Sequence, residues 1–433
     1  MTNVLIVGSG GREHALGWKI SQNKNISKIF FAPGNAATSQ NVKIQAYEVD
    51  KLKTFAEEND CFTIVGPECP LASGIVDSFF EDGLQIFGPT KSAALLESSK
   101  LFAKKFMYEN GIPTPRFQTF SDVQKAKDYV VKEKTDLVIK ADGLASGKGV
   151  LVCDNSAEAI KAIDNIMVKK IFGRAGDSIL IEEKISGEEC SFIVICDGKT
   201  IVPLSSSQDH KRVFDNDKGP NTGGMGSYSP TPLMGCELYD TIMSQIMWPA
   251  IKGLKKRAIL FKGFLYAGIM VEQKTKKPYV LEFNVRMGDP ECQCILMRME
   301  SDFFEYIDSA NNEKLHSMPA IKWKNKFAVC VVMASKGYPG AYVQGHTISG
   351  VNNNFGNDVM VFHSGTQRDI NNRIVNSGGR VLGVTALGYT IRKALNSAYS
   401  VTRRISWGRN DYHYRKDIAM KYAHISKQAR FFP

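Results

Sequence analysis

The chain has no CxxC pair, no histidine at zinc-ligand spacing and no even, clustered set of cysteines. Its nine cysteines are scattered, at positions 61, 69, 153, 190, 196, 236, 292, 294 and 330. That excludes a disulfide framework and a zinc ribbon or finger, and predicts reduced core thiols in a cytoplasmic protein. Cys292 and Cys294 form a CxC, read as alternate positions on an extended segment. Long apolar runs are missing too: Phe327 to Ala334 is far short of the roughly 20 residues that cross a bilayer. The start, MTNVLIVGSGG, has neither a basic leader nor an apolar region of signal length, so no membrane association is expected. Low-complexity tracts and internal repeats are absent, which excludes collagen, coiled-coil and disordered classes. Acidic residues are outnumbered, 44 against 55 Lys and Arg, for a net charge of +11. Such an excess suits anionic partners: nucleotides, sugar phosphates or nucleic acid. Eight of the basic residues fall between Arg403 and Pro433, against only Asp411 and Asp417. Although aromatics are interleaved there, the segment is expected to be a solvated cationic helix, and no nucleic-acid partner is expected.

What is present is a globular composition, 43% hydrophobic and 23% charged over 433 residues, long enough for about three domains. The first hundred residues alternate short apolar runs (VLIV, KIFFA, FTIVG, LQIFG) with helical patterns near 12–22, 51–59 and 71–82. That alternation predicts a doubly wound parallel sheet with a ligand site outside the carboxyl ends of its strands. Gly111-Ile112-Pro113-Thr114-Pro115 marks an interdomain connector. Beyond it, strands at 137–141, 150–153, 179–185, 264–272 and 278–285 and helices near 122–133, 156–168 and 238–257 predict an α+β unit. Residues 205–232, rich in glycine and proline, read as a long functional loop within it. A last segment from about 327, with short strands and one late helix, predicts a small C-terminal α+β domain.

Four clusters carry chemistry. Gly8, Gly10, Gly11 and Arg12 follow a buried strand and open a helix, the setting for an anion on backbone amides or simply for a tight turn. Glu13 stands where a dinucleotide fingerprint needs glycine, which argues against a nicotinamide cofactor. Asp142 to Val150 (DGLASGKGV) is one residue short of a P-loop and lacks its hydroxyl. It reads as a hairpin flap over a triphosphate, or as an ordinary surface hairpin. Lys140, in the strand just before it, calls for an anionic partner or an exposed strand face. In YVLEFNVR, Glu282, Asn284 and Arg286 share one face of a strand and Leu281, Phe283 and Val285 the other. A carboxylate and an amide oxygen two residues apart suit magnesium, with Arg286 as a fork for an anion; the alternative is a Glu282–Arg286 salt bridge.

Taken together, GGREHA, PGN, IVGPE, IFGPT, IKADGLASGKGV, GEECSF, SQDHKR, GPNTGGMGSYSP, GFLYAG and EFNVRMGDPE resemble the ATP-grasp superfamily. Within it, the whole chain is similar to the phosphoribosylamine–glycine ligase family. The resemblance implies an N-terminal substrate-binding α/β domain (1–103), a central ATP-grasp fold of two α+β subdomains (104–326, with a nucleotide lid at 121–192) and a C-terminal domain (327–433). It implies ATP-dependent ligation of glycine to 5-phosphoribosylamine through glycyl phosphate, with magnesium or manganese. Lys104 and Lys140 match its phosphate lysines, and Gly143, Ser146, Gly147, Lys148 and Gly149 its flap. Glu182, Glu183 and Ile185 match the adenine hinge, Glu189 the ribose carboxylate, and Glu282 and Asn284 the metal ligands. Gly10, Gly11, Arg12, Asn35 and Glu68 align with loops near phosphoribosylamine. Asp209, His210, Lys211, Asn221, Thr222, Gly223, Arg286 and Asp289 align with central substrate loops, and Arg286, Asp209, Lys211 and Asp289 are the catalytic candidates. For His210, positioning is favoured over general-base chemistry, because the attacking amine is already nucleophilic. A monomer is expected.

Overall fold

The computed structural model describes residues 1–133, 136–144 and 149–424. The N-terminal segment forms a four-stranded parallel sheet in the order Ile26–Pro33, Thr2–Gly8, Cys61–Val65, Ile86–Phe87. Helices cover both faces, so the strands are apolar on both sides, and Val4, Leu5, Ile6 and Val7 are fully buried. The helix expected over 71–82 is two helices, Glu68–Ser73 and Ile75–Glu81. Gly74 separates them at φ +94°, a left-handed conformation that ends a helix and that glycine adopts without strain.

Two antiparallel sheets follow. The first runs Phe117–Phe120, Ile179–Glu183, Leu137–Ala141, Val150–Cys153. The helices Val123–Glu133 and Ser156–Ile163 close a core of its own around Ala126, Val130, Ile139, Ile163 and Ile181. The second sheet runs Ile201–Pro203, Gly187–Asp197, Lys262–Glu272, Pro278–Asn284, with its two long central strands paired from end to end.

A further sheet runs Gln208–Asp209, Gly226–Ser229, Phe327–Ser335, Arg380–Gly388, Val359–His363. Its first two strands come from the stretch 205–232, expected to be a loop of the central unit. Runs of two and four residues are too short to show periodicity. They form strands because Phe327–Ser335 offers them an edge, where Gly226 to Ser229 lie buried against Val331 to Ala328. Ile6 and Leu16 of the N-terminal unit, Ile193 and Phe264 of the central sheet and Ala328 and Val332 of this last sheet belong to one contiguous apolar core. Three sheets are therefore one packed body, while the 117–183 unit keeps a separate core.

Two local expectations are corrected. Cys292 and Cys294 lie on the helix Glu291–Arg298, all of it buried, not on an extended segment; all nine cysteines are free thiols, seven of them buried. After the helix Ile391–Thr402 there is no cationic α-helix among the described residues. Ser406–Trp407 and Tyr412–His413 pair as short strands and Met420–Tyr422 is a single turn. Arg403, Arg404, Arg409, Lys416 and Lys421 are exposed, as expected of a solvated cationic segment, but Trp407 and Arg415 turn inward, 2% and 1% exposed. Arg415 grips both Asp417 oxygens at 2.8 Å, Asp217 at 2.7 Å and the Arg212 carbonyl at 3.1 Å. No helix among the described residues is long and apolar enough to cross a membrane.

Arg415→Met keeps the aliphatic bulk but deletes every one of those bonds, so the fastening of residues 212–217 to the C-terminal segment should weaken by about 2 kcal/mol. Hydrogen exchange is expected to show faster amide exchange around 212–217 and 415–423. Unchanged protection there would mean that Arg415 does not fasten the loop.

Candidate active site

Elements of every unit open onto one cleft of about 1240 Å³. On the N-terminal side it is lined by Gly10, Arg12 and Glu68. The Glu13 carboxylate accepts the Gly10 N–H at 2.6 Å and the Arg12 Nε–H at 2.5 Å. The chain's own carboxylate thus sits on the first amide of the helix Gly11–Ile20, so of the amides expected to be open to an anion, that of Gly10 is already taken. Gly11 and Asn35 are not brought into the cleft wall. A Cβ at Gly11 would come within 2.6 Å of the Gln293 amide. Asn35 donates to the carbonyls of Ser9 and His363, each at 2.9 Å, tying the N-terminal loop to the C-terminal domain.

In the next wall, Glu182 is buried between two ammonium groups, Lys104 at 2.9 Å and Lys140 at 2.8 Å. Lys140 also donates to the Leu281 carbonyl at 3.0 Å, and Lys104 to the Thr114 hydroxyl and the Val280 carbonyl. One knot therefore joins the small sheet, the helix Lys100–Glu109 and the strand Pro278–Asn284. Burial pulls the Lys104 ammonium down to about 8 against the attraction of Glu182. Glu183 is held by Arg116 at 2.8 Å, and Glu183, Ile185 and Glu189 line the same wall. Gly143 and Gly149 reach the cleft; Ser146, Gly147 and Lys148 lie outside the described residues.

Across from these, Glu282, Asn284 and Arg286 line the cleft as expected, but Leu281, expected on the core face, lines it too: the strand bulges there, between Val280 and Glu282, and the core is filled by Val280 and Phe283. Lys211 lies 3.3 Å from Glu282 and also pairs with Glu189. Its charge is the main reason that the Glu282 carboxyl is held down to about 2. Burial draws the Lys211 ammonium down, but Glu189 and Glu282 outweigh it and hold it well above the ordinary lysine range. Arg286 does not pair with Glu282. It is clamped by Glu68 at 3.2 Å and Glu97 at 2.8 Å, and an Nη–H points to the Asn284 amide oxygen at 3.4 Å. Glu282 and Asn284 thus present an ionised carboxylate and an amide oxygen side by side, a hard donor pair suited to a divalent cation. No set of three or more acidic, histidine or cysteine side chains among the described residues is placed to hold a metal. A cation on this pair would complete its shell with phosphate and water oxygens.

The central loop supplies the remaining wall with Asp209, His210, Lys211, Asn221, Thr222 and Gly223. Thr222 folds the loop back by donating its hydroxyl to the Lys211 carbonyl at 2.8 Å. Gly224, at φ +115°, must be glycine, since a Cβ would meet an Asp209 oxygen at 2.8 Å. Burial, then the nearby Glu291, push the Asp209 carboxyl well above its usual range. His210 accepts the Ala419 N–H on Nε2 at 3.3 Å, and burial holds its ring down to about 4, so it is a neutral strut. Asp289 contacts Arg380 at 3.3 Å and accepts from Gln293 at 2.9 Å; Arg380 and then Arg12 outweigh burial and hold its carboxyl low.

Several lining residues were not singled out from the sequence: Glu97, Lys100, Tyr266, Glu291, Tyr338 and Arg380. Lys100 had a signal, being one helical turn from Lys104 on the helix Lys100–Glu109; its ammonium donates to the Gly143 carbonyl at 2.8 Å. Tyr266 and Glu291 fall within GFLYAG and EFNVRMGDPE, whereas Glu97, Tyr338 and Arg380 come from distant segments and carry no local signature.

Comparison with known proteins agrees along the length of the chain. Residues 2–97 match the phosphoribosylglycinamide synthetase N domain, 98–292 its ATP-grasp (A) domain and 328–421 its C domain. A phosphoribosylamine–glycine ligase of Vibrio vulnificus is 47% identical over 423 residues, covering 95% of this chain and 98% of that protein. One from Pseudomonas aeruginosa is 45% identical over 424 residues, covering 97% and 98%. The crystal structure of the Thermotoga maritima phosphoribosylamine–glycine ligase superposes with a TM-score of 0.84 at 32% identity, covering 96% of this chain and all of that one. At 15% identity, the biotin carboxylase domain of a Hydrogenobacter thermophilus 2-oxoglutarate carboxylase, solved with MgADP and bicarbonate, shares the fold alone, with a TM-score of 0.74 over 99% of each chain. With all three of its domains matched in order and relatives aligned from end to end, the chain belongs to the phosphoribosylglycinamide synthetase family of ATP-grasp proteins.

Proposed function

We infer that this chain joins glycine to 5-phosphoribosylamine using ATP and magnesium, giving glycinamide ribonucleotide, ADP and phosphate in purine biosynthesis. The observation that carries the reading is the single cleft where N-terminal loops, the lysine knot and the Glu282–Asn284 pair meet, in a chain whose full-length relatives are phosphoribosylamine–glycine ligases. ATP phosphorylates the glycine carboxylate; the amine of phosphoribosylamine attacks the acyl carbon of glycyl phosphate, and inorganic phosphate leaves. Such chemistry needs positioning and charge neutralisation more than a protein nucleophile.

In this reading Lys104 and Lys140 are the lysines of the ATP phosphates, and Gly143, Ser146, Gly147, Lys148 and Gly149 belong to the flap assigned to the same phosphates. Glu182, Glu183 and Ile185 lie against adenine and Glu189 against ribose. Glu282 and Asn284 hold magnesium, which when bound neutralises phosphate charge and draws the ATP oxygens into line. Gly10, Arg12 and Glu68 are assigned to the phosphoribosylamine side, with Gly11 and Asn35 holding the loops behind them, and His210, Asn221, Thr222 and Gly223 to the acceptor loop. Arg286, Asp209, Lys211 and Asp289 surround the reacting carboxylate. His210 holds the loop in place and does not move a proton, since its Nε2 lone pair already accepts the Ala419 N–H. A division at 103 and 326, a cytoplasmic location, a monomeric state and no nucleic-acid partner complete the proposal.

Two measurements test it, beginning with ADP formation, which should require glycine and phosphoribosylamine together. Glu282→Gln and Asn284→Leu should each raise the magnesium requirement and cost about 3 kcal/mol in the barrier, roughly a hundredfold in rate. Loss of activity with an unchanged magnesium requirement would remove both residues from the metal site.

The second concerns Glu182→Gln. Glu182 opposes the burial that lowers Lys104 to about 8, so its loss should lower that group further. A lysine loses its proton as pH rises through its folded-state pKa, so ATP binding measured between about pH 6 and 9 should fall off at lower pH than in the wild type. An alkaline limb that does not move would show that Lys104 is not needed as a cation.

A further inference from the structure

None of the residues assigned above belongs to the C-terminal domain, yet that domain reaches the cleft at Arg380 and Tyr338. Arg380 opens the strand Arg380–Gly388. Its Nη1 donates to the carbonyls of Gly223 at 2.7 Å, Asp289 at 2.6 Å and, more weakly, Gly224 at 3.4 Å. Its Nη2 lies 3.3 Å from an Asp289 carboxylate oxygen. Tyr338 holds the same residue through the preceding peptide, the Gly223 N–H donating to its hydroxyl at 3.1 Å. A Cβ at position 223 would come within 3.1 Å of the guanidinium carbon, so a larger residue would push the guanidinium back by a few tenths of an ångström.

One planar cation therefore fixes two segments, 157 and 91 residues away in sequence, that meet in one wall of the cleft. Guanidinium geometry suits this: donors in a rigid fork can serve two carbonyls and a carboxylate together, whereas an ammonium is a single point charge. The nucleotide wall, built around Lys104, Lys140 and Glu182, makes no hydrogen bond or ion pair with Arg380 or Tyr338 among the described residues.

We propose that Arg380, with Tyr338 beside it, is a positioning residue of the C-terminal domain that sets the Gly223 peptide and Asp289 in place for the acceptor substrates, glycine and phosphoribosylamine. It acts through the loop and not through ATP. The inference rests on the ligase reading above.

Steady-state kinetics and ATP binding of Arg380→Gln, Arg380→Lys and Tyr338→Phe test it. Loss of charge-assisted bonds should raise the KM for glycine, phosphoribosylamine or both by roughly ten- to a hundredfold in Arg380→Gln, with ATP affinity within about twofold of wild type. Arg380→Lys should recover part of the loss, and Tyr338→Phe should raise the same KM by about threefold or more. Unchanged KM values in a folded Arg380→Gln protein, or ATP affinity falling in step with them, would overturn the proposal. Should Arg380→Gln not fold, Tyr338→Phe decides: a KM that does not rise rejects it. Wild-type dependence of ADP formation on both acceptors tests the ligase reading separately, so normal wild-type turnover with an indifferent Arg380→Gln sinks only the inference.

Discussion

The buried Glu182 carboxylate, shared between Lys104 and Lys140, is the contact on which the cleft depends. Two ammonium groups this close, both nearly removed from water, repel each other, and each loses hydration. The glutamate offsets both effects, and the carbonyls of Val280 and Leu281 take further ammonium protons. The knot also joins the 117–183 sheet to the rest of the molecule. That sheet keeps its own apolar core while the other three share theirs, so polar contacts stitch it across the cleft where elsewhere hydrophobic packing does so. A site for a polyanion is thereby assembled in advance, with two cations held in place by one internal anion.

The opposite wall is arranged by the same rule. Lys211 stands between Glu189 and Glu282, Arg286 between Glu68 and Glu97, and Arg380 against Asp289. Every one of these cations is partnered within the protein. Removing one partner leaves the other exposed to the full cost of its burial, so the charges are coupled in groups and not as independent pairs. The exception in sign is Asp209, which burial and the neighbouring Glu291 drive toward the neutral form.

The second organising feature is the path of residues 205–232. This stretch leaves the central sheet, enters the C-terminal sheet at Gln208–Asp209 and Gly226–Ser229, and carries the cleft-lining loop between those two strands. Thr222 closes the loop on itself, Arg415 fastens its outer part and the Arg380–Tyr338 pair holds its tip. The C-terminal domain is thus the scaffold of that loop as well as a neighbour of the cleft.

Much of this was legible in the amino-acid sequence, because it depends on short-range periodicity and on local motifs. Alternation in YVLEFNVR put Glu282, Asn284 and Arg286 on one face, and all three line the cleft, although a bulge at Leu281 breaks the alternation and brings that residue to the cleft as well. The apolar runs of the first ninety residues became the four parallel strands, since a strand buried on both faces needs nothing but apolar side chains. Tertiary structure alone decided the partners. Arg286 chose Glu68 and Glu97 over Glu282, four residues upstream with Oε1 already facing Lys211, because the N-terminal helices bring those carboxylates to the strand end. In the basic tail, a solvated helix by composition, Arg415 alone among the described cations is buried, because Asp217 and Asp417 meet it there, and no rule of composition contains a pairing across 198 residues. Periodicity reports which way a side chain faces; what it meets depends on chain segments that only the folded core brings together.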